Sequence, residues 1–405
     1  MFPIARMLPP TAGFKYPYTI SQSCMFDSSS STRMEFTPSA AGTEETWTFS
    51  AWIKRSTLGS VHQIINAAAG NEIQFTAANK LQFTTATGTL LTTQVFRDCS
   101  NWYNIIVAVD TTQATAADRV NIYVNGSAVS DFDTETYMNQ NEVTEFFKAA
   151  AHTLGANEAD TEEFDGYMAQ VAFIDGTQYA ASDFGETKNG IWVPKDITGL
   201  TYGSQGSLLA FATAANLGDD TSGNTNDWTE SNFGTDHQVS DSPTNNYCML
   251  DYNAMRSNMT ALKEGGLSPQ DAGAAWHSVL GTFPLKSGKW YFEVDVGGDA
   301  DDIKAGIVAA GEYSGDIITA DTDPGSIGYI LHCDASGAVY NAESSGGATG
   351  DDNLDAPAVN DVMTIAIDCD NGKIWFGMKN AGSGHVWGDF GASGVGDPAN
   401  GTNPA

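Results

Sequence analysis

The strongest constraint on the fold lies at residues 101–129, which contain two apolar runs whose branched aliphatic residues recur at every second position. Such period-two alternation predicts β-strands with one buried face. The dipeptide Asn125-Gly126 follows the second run, and it favours the two positive φ angles of a type I′ turn. The sequence therefore predicts an antiparallel hairpin whose inward-facing residues are Ile105, Val107, Val109, Val120, Ile122 and Val124.

Alternating runs recur along the rest of the chain, whereas long amphipathic helices are scarce. In the first half, the inward face of one long run is Trp47, Phe49 and Ala51, and a later strand is expected at residues 166–174. In the second half, Asn371-Gly372 marks the turn of another hairpin. Its inward-facing candidates are Ile365, Ile367, Ile374 and Phe376. These patterns predict an all-β protein made of two tandem antiparallel β-sandwiches.

The length of 405 residues suggests about two or three domains. We expect an extended N-terminal arm at 1–17, a first sandwich at 18–211, a connector rich in Asn, Asp and Ser at 212–244, and a second sandwich at 245–405. The last fifteen residues contain no alternating run that predicts a strand. We therefore expect either that the natural chain continues or that a partner covers an open sheet edge.

The charge of the chain excludes several classes of partner. Fifty acidic residues against eighteen Lys and Arg give a formal net charge of −32, which repels nucleic acids and anionic membranes. No apolar run has the length of a membrane span, so membrane insertion is not expected. The five cysteines are odd in number and contain no CxxC pair, which predicts free thiols and assembly in a reducing cytosol.

The N-terminal arm differs in chemistry from the body of the chain. Its four prolines argue against a helix or a central strand, and no acidic residue precedes Asp27. An apolar, weakly basic arm of this kind suits docking onto another subunit, although a disordered terminus is the alternative. The candidate attachment residues are Phe2, Ile4, Arg6, Leu8 and Phe14.

A cluster of side-chain oxygens in the predicted connector is a candidate calcium site. Its members are Asp219, Asp220, Asn224, Asn226 and Asp227. Hard cations prefer six to eight such oxygens, but the spacing fits no EF-hand, and Asx-turns explain the same residues equally well. No cofactor is expected to be required, and Ca²⁺ is the one ion that this cluster suggests.

The first half of the chain resembles laminin-G-like domains of the concanavalin A-like superfamily. The likeness lies in the aromatic pair Trp102-Tyr103 before the first run, the motif NIYVNG and the strand at 166–174. This resemblance implies a curved two-sheet sandwich that binds rather than catalyses. Residues from about 276 to 390 resemble the SPRY domain, through the motifs GKWYFEVDVGG and NDVMTIAIDCDNGKIWFGMKN. SPRY domains bind protein surfaces through loops, so Tyr313 and Trp387 are candidate ligand-binding residues, with rim or core packing as the alternative.

The combination of these modules with the motifs TWTFSAWIKRSTLGS and SGNTNDWTESNF resembles structural proteins of tailed bacteriophages, particularly tail fibres and other virion appendages. The resemblance implies assembly in the host cytoplasm and an extracellular virion after lysis. It also implies that the arm contacts other virion proteins and that the sandwiches meet a host-surface glycan or protein. Fibre proteins are often trimers, but no heptad pattern in this chain enforces a homo-oligomer.

The sequence predicts no enzyme and no catalytic residues. The strongest contrary motif is NEADTEEFDG, in which strand alternation would align Glu158, Asp160 and Glu162 as in a glycan-degrading hydrolase of the concanavalin A-like fold. The residues between these acids, Ala159 and Thr161, are not large core hydrophobes, so we interpret the motif as an acidic loop. Two alternatives to a host-recognition protein therefore remain open: such a hydrolase, and a purely structural capsid or baseplate decoration protein.

Overall fold

The structure is a computed structural model. It describes residues 14–68, 70–255, 259–271, 278–297, 303–309, 328–333, 339–342, 348–350, 354, 357–380, 382, 384–389 and 394–405. The strands up to residue 239 are β1 (Ser23–Phe26), β2 (Arg33–Phe36), β3 (Thr46–Arg55), β4 (His62–Ala68), β5 (Asn71–Phe75), β6 (Lys80–Thr84), β7 (Thr89–Val95), β8 (Tyr103–Asp110), β9 (Val120–Val124), β10 (Ser127–Ala128), β11 (Phe132–Thr136), β12 (His152–Leu154), β13 (Gly166–Asp175), β14 (Gly185–Lys188), β15 (Ile191–Pro194), β16 (Ser207–Leu209), β17 (Thr229–Ser231) and β18 (Gln238–Val239).

The later strands are β19 (Met259–Lys263), β20 (Ser268–Asp271), β21 (Lys289–Asp295), β22 (Ile303–Val308), β23 (Gly328–Cys333), β24 (Val339–Ala342), β25 (Ala348–Gly350), β26 (Val362–Asp368), β27 (Lys373–Asn380) and β28 (Gly384–Trp387). The helices within the described ranges are all short: α1 (Ala181–Phe184) and 3₁₀ turns at Ser28–Ser30, Ala116–Arg119, Thr235–His237 and Tyr252–Ala254. None of them has the length and apolar character that crossing a bilayer requires. The prediction of an all-β protein is confirmed.

Two antiparallel sheets enclose the main core of the first half. The first sheet has the order β10-β9-β8-β3-β13-β1-β18, with β16 also paired to β13, and the second has the order β11-β7-β6-β5-β4-β12-β2-β17. Their inner faces share one hydrophobic cluster, which contains all the predicted inward residues of β3, β8 and β9. Large aromatic side chains fill it, and Phe147 stacks on Phe173 with ring centroids 3.8 Å apart.

The central hairpin forms as its sequence predicts. Asn125 and Gly126 have φ angles of 48° and 77°, and Ser127 pairs with Val124 directly after the turn. Glycine is needed here for a second reason, because a Cβ on Gly126 would lie 2.3 Å from the ring of Trp192. The Trp192 side chain therefore packs over the turn, and the β14-β15 hairpin covers this end of the first sheet.

The stretch predicted as a connector contributes an edge strand to each sheet. Strand β17 pairs with β2, and β18 pairs with β1, both antiparallel. Trp228 is 3% exposed and belongs to the main core. The strands are two and three residues long, which is too short for alternation to reveal them in a segment dominated by polar residues.

The segment that follows β18 covers the outer face of the first sheet. A second apolar cluster forms there, in which Met249 packs with Trp52, Trp102 and Tyr167. The side chain of Lys54 is fully buried beneath the segment, and its Nζ donates to Asp241 Oδ2 at 2.8 Å. It also donates to Asn246 Oδ1 at 2.8 Å and to the Tyr247 carbonyl at 2.7 Å, so three acceptors compensate one buried ammonium.

The second half contains two four-stranded antiparallel sheets, β21-β26-β27-β28 and β22-β23-β24-β25. Side chains from both contribute to one hydrophobic cluster, which includes Leu331 of β23 and Met363 of β26. The hairpin of β26 and β27 turns at residues 369–372, which include Asn371-Gly372, and its four predicted inward residues are buried.

Candidate functional site

A cavity of about 310 Å³ lies over the second sheet of the first sandwich. Ile73 and Phe75 of β5 point into the core, so the alternate residues Glu72 and Gln74 lie on the opposite, outer face. The loop after β12 forms the other wall of this groove. The lining residues are Val61, Asn66, Gly70, Glu72, Gln74, Asn157, Glu158, Ala159 and Glu162.

A row of amide side chains crosses the floor of the groove and the sheet beside it. Gln63 of β4 pairs with Gln74 of β5, which in turn pairs with Gln82 of β6. Glu72 is the register partner of Asn66. Residues paired directly across neighbouring strands lie on the same face, so the outer face of this sheet presents a polar band rather than an apolar one.

The amide of Gln63 lies among more acceptors than it can satisfy. Its Nε2 lies 3.1 Å from Glu72 Oε2, 2.9 Å from Gln74 Oε1 and 3.0 Å from Glu162 Oε2. An amide NH₂ has two protons, so one of these three oxygens receives none from it. Glu162 Oε2 has a second donor, because Asn157 Nδ2 lies 3.2 Å from it. Gln63 is fully buried, and its own Oε1 has no hydrogen-bond partner among the described residues. Buried polar atoms without partners are rare and costly.

The charge of the groove is negative. Glu72, Glu158 and Glu162 line it, and in the described ranges no Lys or Arg lies within ion-pair distance of them. The neighbouring Asp160 differs, because Arg33 Nε lies 2.5 Å from its Oδ1. Burial raises the pKa of Glu72, and the negative charge of Glu162 raises it further, while the hydrogen bond from Gln63 opposes both effects.

The acidic motif weighed as a hydrolase site lies in a turn rather than on a strand. Asp160 and Glu162 have φ angles of 55° and 57°, and the Asn157 side chain accepts hydrogen bonds from the backbone N–H groups of Ala159 and Thr161. Alternation along a strand therefore does not align Glu158, Asp160 and Glu162. This geometry fits the interpretation of the motif as an acidic loop.

The candidate calcium residues form a network of turns beside β16. Asp220 Oδ1 accepts from the N–H groups of Leu208 and Ser222, each at 2.8 Å, and Asp220 Oδ2 accepts from Asn226 N at 2.9 Å. Asp227 Oδ1 accepts from Asp220 N at 2.9 Å. The side chains of Asn224 and Asn226 both donate to the Gly206 carbonyl, whereas Asp219 takes no part in these bonds. This is the Asx-turn arrangement that the sequence left open as the alternative to a metal site.

Within the described part of the chain, no group of three or more His, Cys, Asp or Glu residues is arranged to hold a metal ion. A second cavity of about 430 Å³ lies beside the Asx-turn network, between the ends of β2 and β17. The residues that line either cavity carry no buried polar atom without a partner, but the buried Gln63 amide, whose Oε1 has none, contacts Glu72 and Gln74 of the first groove. The first groove is therefore the better candidate for a ligand site.

Of the two candidate aromatic residues, Tyr313 lies outside the described residues. Trp387 lies half-buried on β28, with its ring centroid 4.6 Å from that of His385 and 6.5 Å from that of Tyr291. Gly377 on the neighbouring strand permits this, because a Cβ there would lie 2.9 Å from Trp387 Cε3. The three rings form an aromatic cluster on the outer side of that sheet, and a ligand role for Trp387 stays a prediction.

The candidate attachment residues Phe2, Ile4, Arg6 and Leu8 also lie outside the described residues. Phe14 is described, and its ring packs edge-on against Tyr16 at 4.9 Å between centroids. Lys188 of β14 lies 5.8 Å from the Phe14 ring centroid and donates to the Lys15 carbonyl. The end of the predicted arm therefore lies against the β14-β15 hairpin.

A buried carboxylate that the sequence did not single out lies between the two sheets' ends. Asp165 accepts hydrogen bonds from the hydroxyls of Ser56 at 2.8 Å, Ser28 at 3.0 Å and Thr57 at 3.3 Å. Burial raises the pKa of Asp165 from 3.8 to about 6, because these neutral donors compensate the lost hydration only in part. Asp165 lies in the sequence FDG, directly before a predicted strand. Its burial among hydroxyl groups is therefore apparent only from the fold.

Asp165 gives a testable pH dependence. A carboxyl with a raised pKa in the folded state favours folding below its unfolded pKa and loses that contribution as the pH rises through about 6. We expect the free energy of unfolding of the wild type, relative to Asp165→Asn, to fall by roughly 2–3 kcal/mol between pH 4 and pH 7. Urea denaturation of both proteins across this range measures the difference. A difference that does not vary with pH would contradict the buried, raised-pKa carboxyl.

Residues 28–181 match the sequence profile of the concanavalin A-like lectin/glucanases superfamily. The chain therefore contains a concanavalin A-like domain, which the two-sheet sandwich around the main core also displays. No curated protein matches the chain. The aligned segment includes β2 to β13 and hence the complete groove.

Several solved structures are distantly similar. A putative carbohydrate-binding protein from Bacteroides ovatus aligns with 14% identity and a TM-score of 0.38, covering 53% of this chain and 59% of that chain. The chain thus spans 59% of the length of that relative. Domains LG4-5 of the mouse laminin alpha1 chain align with 10% identity and a TM-score of 0.30, covering 93% and 80%. The SAP-like pentraxin of Limulus polyphemus aligns with 12% identity and a TM-score of 0.27, covering 44% and 79%.

Proposed function

We propose that the protein is a non-catalytic binding protein that recognises glycans through the groove between β4, β5 and the loop after β12. The observation that carries this proposal is a groove lined by amides and carboxylates, including Asn66, Glu72 and Gln74, on the outer face of a concanavalin A-like sandwich. Sugar hydroxyls are donors as well as acceptors, so a saccharide can form hydrogen bonds with both the carboxylates and the amides of the groove.

The size and rigidity of the groove support the same function. A cavity of about 310 Å³ has room for one or two sugar rings, at the lower end of the range of small-ligand sites. The floor residues lie on paired strands of the sandwich, which hold their side chains in fixed positions. A site on such a scaffold loses little conformational entropy when a ligand binds.

A glycan array with a matched pair of blocking variants tests the function. Ala159 is exposed on the wall of the groove, and we expect Ala159→Trp to fill it and to weaken glycan binding at least about tenfold. Ala114→Trp places the same side chain on an exposed loop of the other sheet and should leave binding unchanged. Equal binding by both variants, or release of reducing ends from a bound glycan, would contradict the proposal.

We further propose that the chain acts as a tail-fibre-like appendage of a bacteriophage, with an N-terminal arm bound to other virion proteins and the first sandwich facing the host surface. The resemblance of the sequence motifs to those of tailed-phage structural proteins and the distinct chemistry of the arm support this proposal. Mass spectrometry of purified particles tests it, because the polypeptide must be a stoichiometric virion component. Its absence from particles would leave the glycan-binding proposal in place but remove this one.

A further inference from the structure

The two cavities of the first sandwich lie along one line of paired residues. In the second sheet, the register pairs one polar residue from each of the eight strands: Thr136, Thr89, Thr84, Glu72, Asn66, Thr153, Glu35 and Thr229. We call these eight residues the polar row. We infer that an extended, uncharged polysaccharide chain binds along the polar row and occupies both cavities. This inference rests on the proposed glycan-binding function and specifies its ligand.

All members of the polar row lie on the outer face of the sheet. Residues paired directly across neighbouring strands share a face, and successive residues along a strand alternate between faces. Ile73 and Leu154, which are adjacent in sequence to members of the row, belong to the main core. The row supplies two lining residues to each cavity: Glu72 and Asn66 to the first groove, and Glu35 and Thr229 to the second cavity. Both cavities therefore open onto the same side of the same sheet.

The distance between the cavities determines the length of the ligand. Neighbouring strands lie about 4.8 Å apart, so the four spacings from Glu72 to Thr229 amount to roughly 19 Å, or about four sugar rings of an extended chain. Cavities of about 310 and 430 Å³ each hold only one or two rings. Between them the row contains Thr153, which is 5% exposed and has a shorter side chain than Asn66 and Glu35 beside it. No bulky side chain of the row therefore separates the two cavities, and one chain can reach both.

The lining side chains favour a chain without negative charge. The residues that line the two cavities include five carboxylates and no Lys, Arg or His. The net charge of −32 adds to the repulsion of any anionic ligand, so sulfated chains and chains of uronic or sialic acids are disfavoured. The hydroxyls and amides of the row provide both donors and acceptors, which match the hydroxyl groups of a neutral sugar.

The shortage of aromatic side chains favours a soluble chain over a crystalline polysaccharide. Phe36 is the only aromatic residue that lines either cavity, and it is 6% exposed because its ring packs on Trp228 in the core. A flat crystalline surface offers few free hydroxyls, so its recognition depends on exposed rings that stack on the sugar faces. A hydrated single chain presents its hydroxyls along its length, and the polar row can bond to them.

Neutral oligosaccharides of defined length test the inference. The full chain is titrated calorimetrically with two-ring and four-ring members of the cello-, laminari-, malto-, xylo- and manno-oligosaccharide series. In the series that binds, the four-ring member should bind at least about tenfold more tightly than the two-ring member, because only the longer chain reaches both cavities.

Blocking variants assign the gain in affinity to the second cavity. Thr229 is exposed, so Thr229→Trp should fill that cavity and reduce the affinity for the four-ring member to that for the two-ring member. It should leave two-ring binding unchanged, which also shows that the variant is folded. Ala159→Trp should weaken the binding of both lengths, and Ala114→Trp should weaken neither.

The alternatives are separate outcomes of the same titrations. Equal affinity for both lengths, with sensitivity to Ala159→Trp, overturns the extended ligand and leaves glycan binding in place. A length dependence that survives Thr229→Trp overturns the role of the second cavity. Tighter binding of oligogalacturonate than of every neutral series overturns the uncharged ligand. If no neutral series binds, the inference is wrong, and a glycan array without any binding would remove the proposed function as well.

Discussion

Replacing Lys54 with Met is expected to lower the free energy of unfolding of the first sandwich by about 3–5 kcal/mol. The lysine side chain is fully buried, and its Nζ is the donor for Asp241, Asn246 and the Tyr247 carbonyl. Methionine has a similar length, so little packing is lost, but the Asp241 carboxylate stays buried without its cation. The penalty is therefore the cost of an uncompensated charge rather than of a cavity.

Urea denaturation followed by tryptophan fluorescence measures this loss, since Trp102 donates its indole N–H to the other oxygen of Asp241. Lys80→Met is the matched control. Its partner Asp133 is 41% exposed, so the same substitution should cost less than about 1 kcal/mol. We also expect faster amide exchange over residues 240–249 in Lys54→Met alone. Similar stabilities for the two variants would show that the buried ion pair does not hold this segment on the sheet.

The fold of both halves could be predicted where its signals are local. The hairpin at Asn125-Gly126 depends on two adjacent residues and on alternation over five to eight positions, all readable from the sequence. The inward faces of β3, β8, β26 and β27 followed from the same period. Burial of one face is a strong constraint, because a slip of one residue would expose the entire apolar set.

The groove could not be predicted in the same way, because its parts come together only through the pairing of strands. Gln63 and Glu162 are separated by 99 positions in the chain, and their contact exists because β12 joins the sheet beside β4. One local signal was available: Gln74 and Gln82 both alternate with core residues, which places amides on one outer face. The acidic motif NEADTEEFDG was visible in the sequence, but its carboxylates were considered as a hydrolase site on a strand, whereas the structure forms a turn there.

Buried polar residues are the other feature that the sequence concealed. Lys54 occupies a position in β3 where alternation points outward, and an exposed lysine is the usual expectation. It is buried because a segment nearly two hundred residues later folds over the sheet. The same segment brings Met249 onto Trp52 and Trp102. This part of the outer face of the first sheet is therefore covered by polypeptide rather than exposed to solvent.

The second large loss of stability is expected from a substitution in the polar stretch at residues 212–244. Trp228→Ala is expected to cost about 3–5 kcal/mol, as for other buried tryptophans. The indole packs on Phe36 with ring centroids 5.4 Å apart and on Phe173 at 6.1 Å, and its Nε1 donates to Ser207 Oγ at 2.9 Å. A tryptophan in a flexible linker would cost almost nothing to remove, so the substitution measures whether this stretch is an integral part of the sandwich.

Thermal and urea unfolding of two further variants complete the measurement. Thr229→Ala, at the exposed neighbouring position, keeps the backbone pairing of β17 with β2 and should change stability by less than about 0.5 kcal/mol. Trp228→Phe should fall between the two, because it keeps an aromatic ring in the core but loses the hydrogen bond to Ser207. A loss for Trp228→Ala no larger than that for Thr229→Ala would mean that the stretch is detached from the sheets in solution. In that case the main core would end at β16, and the edge of β2 that β17 covers would be exposed to water or paired with another molecule.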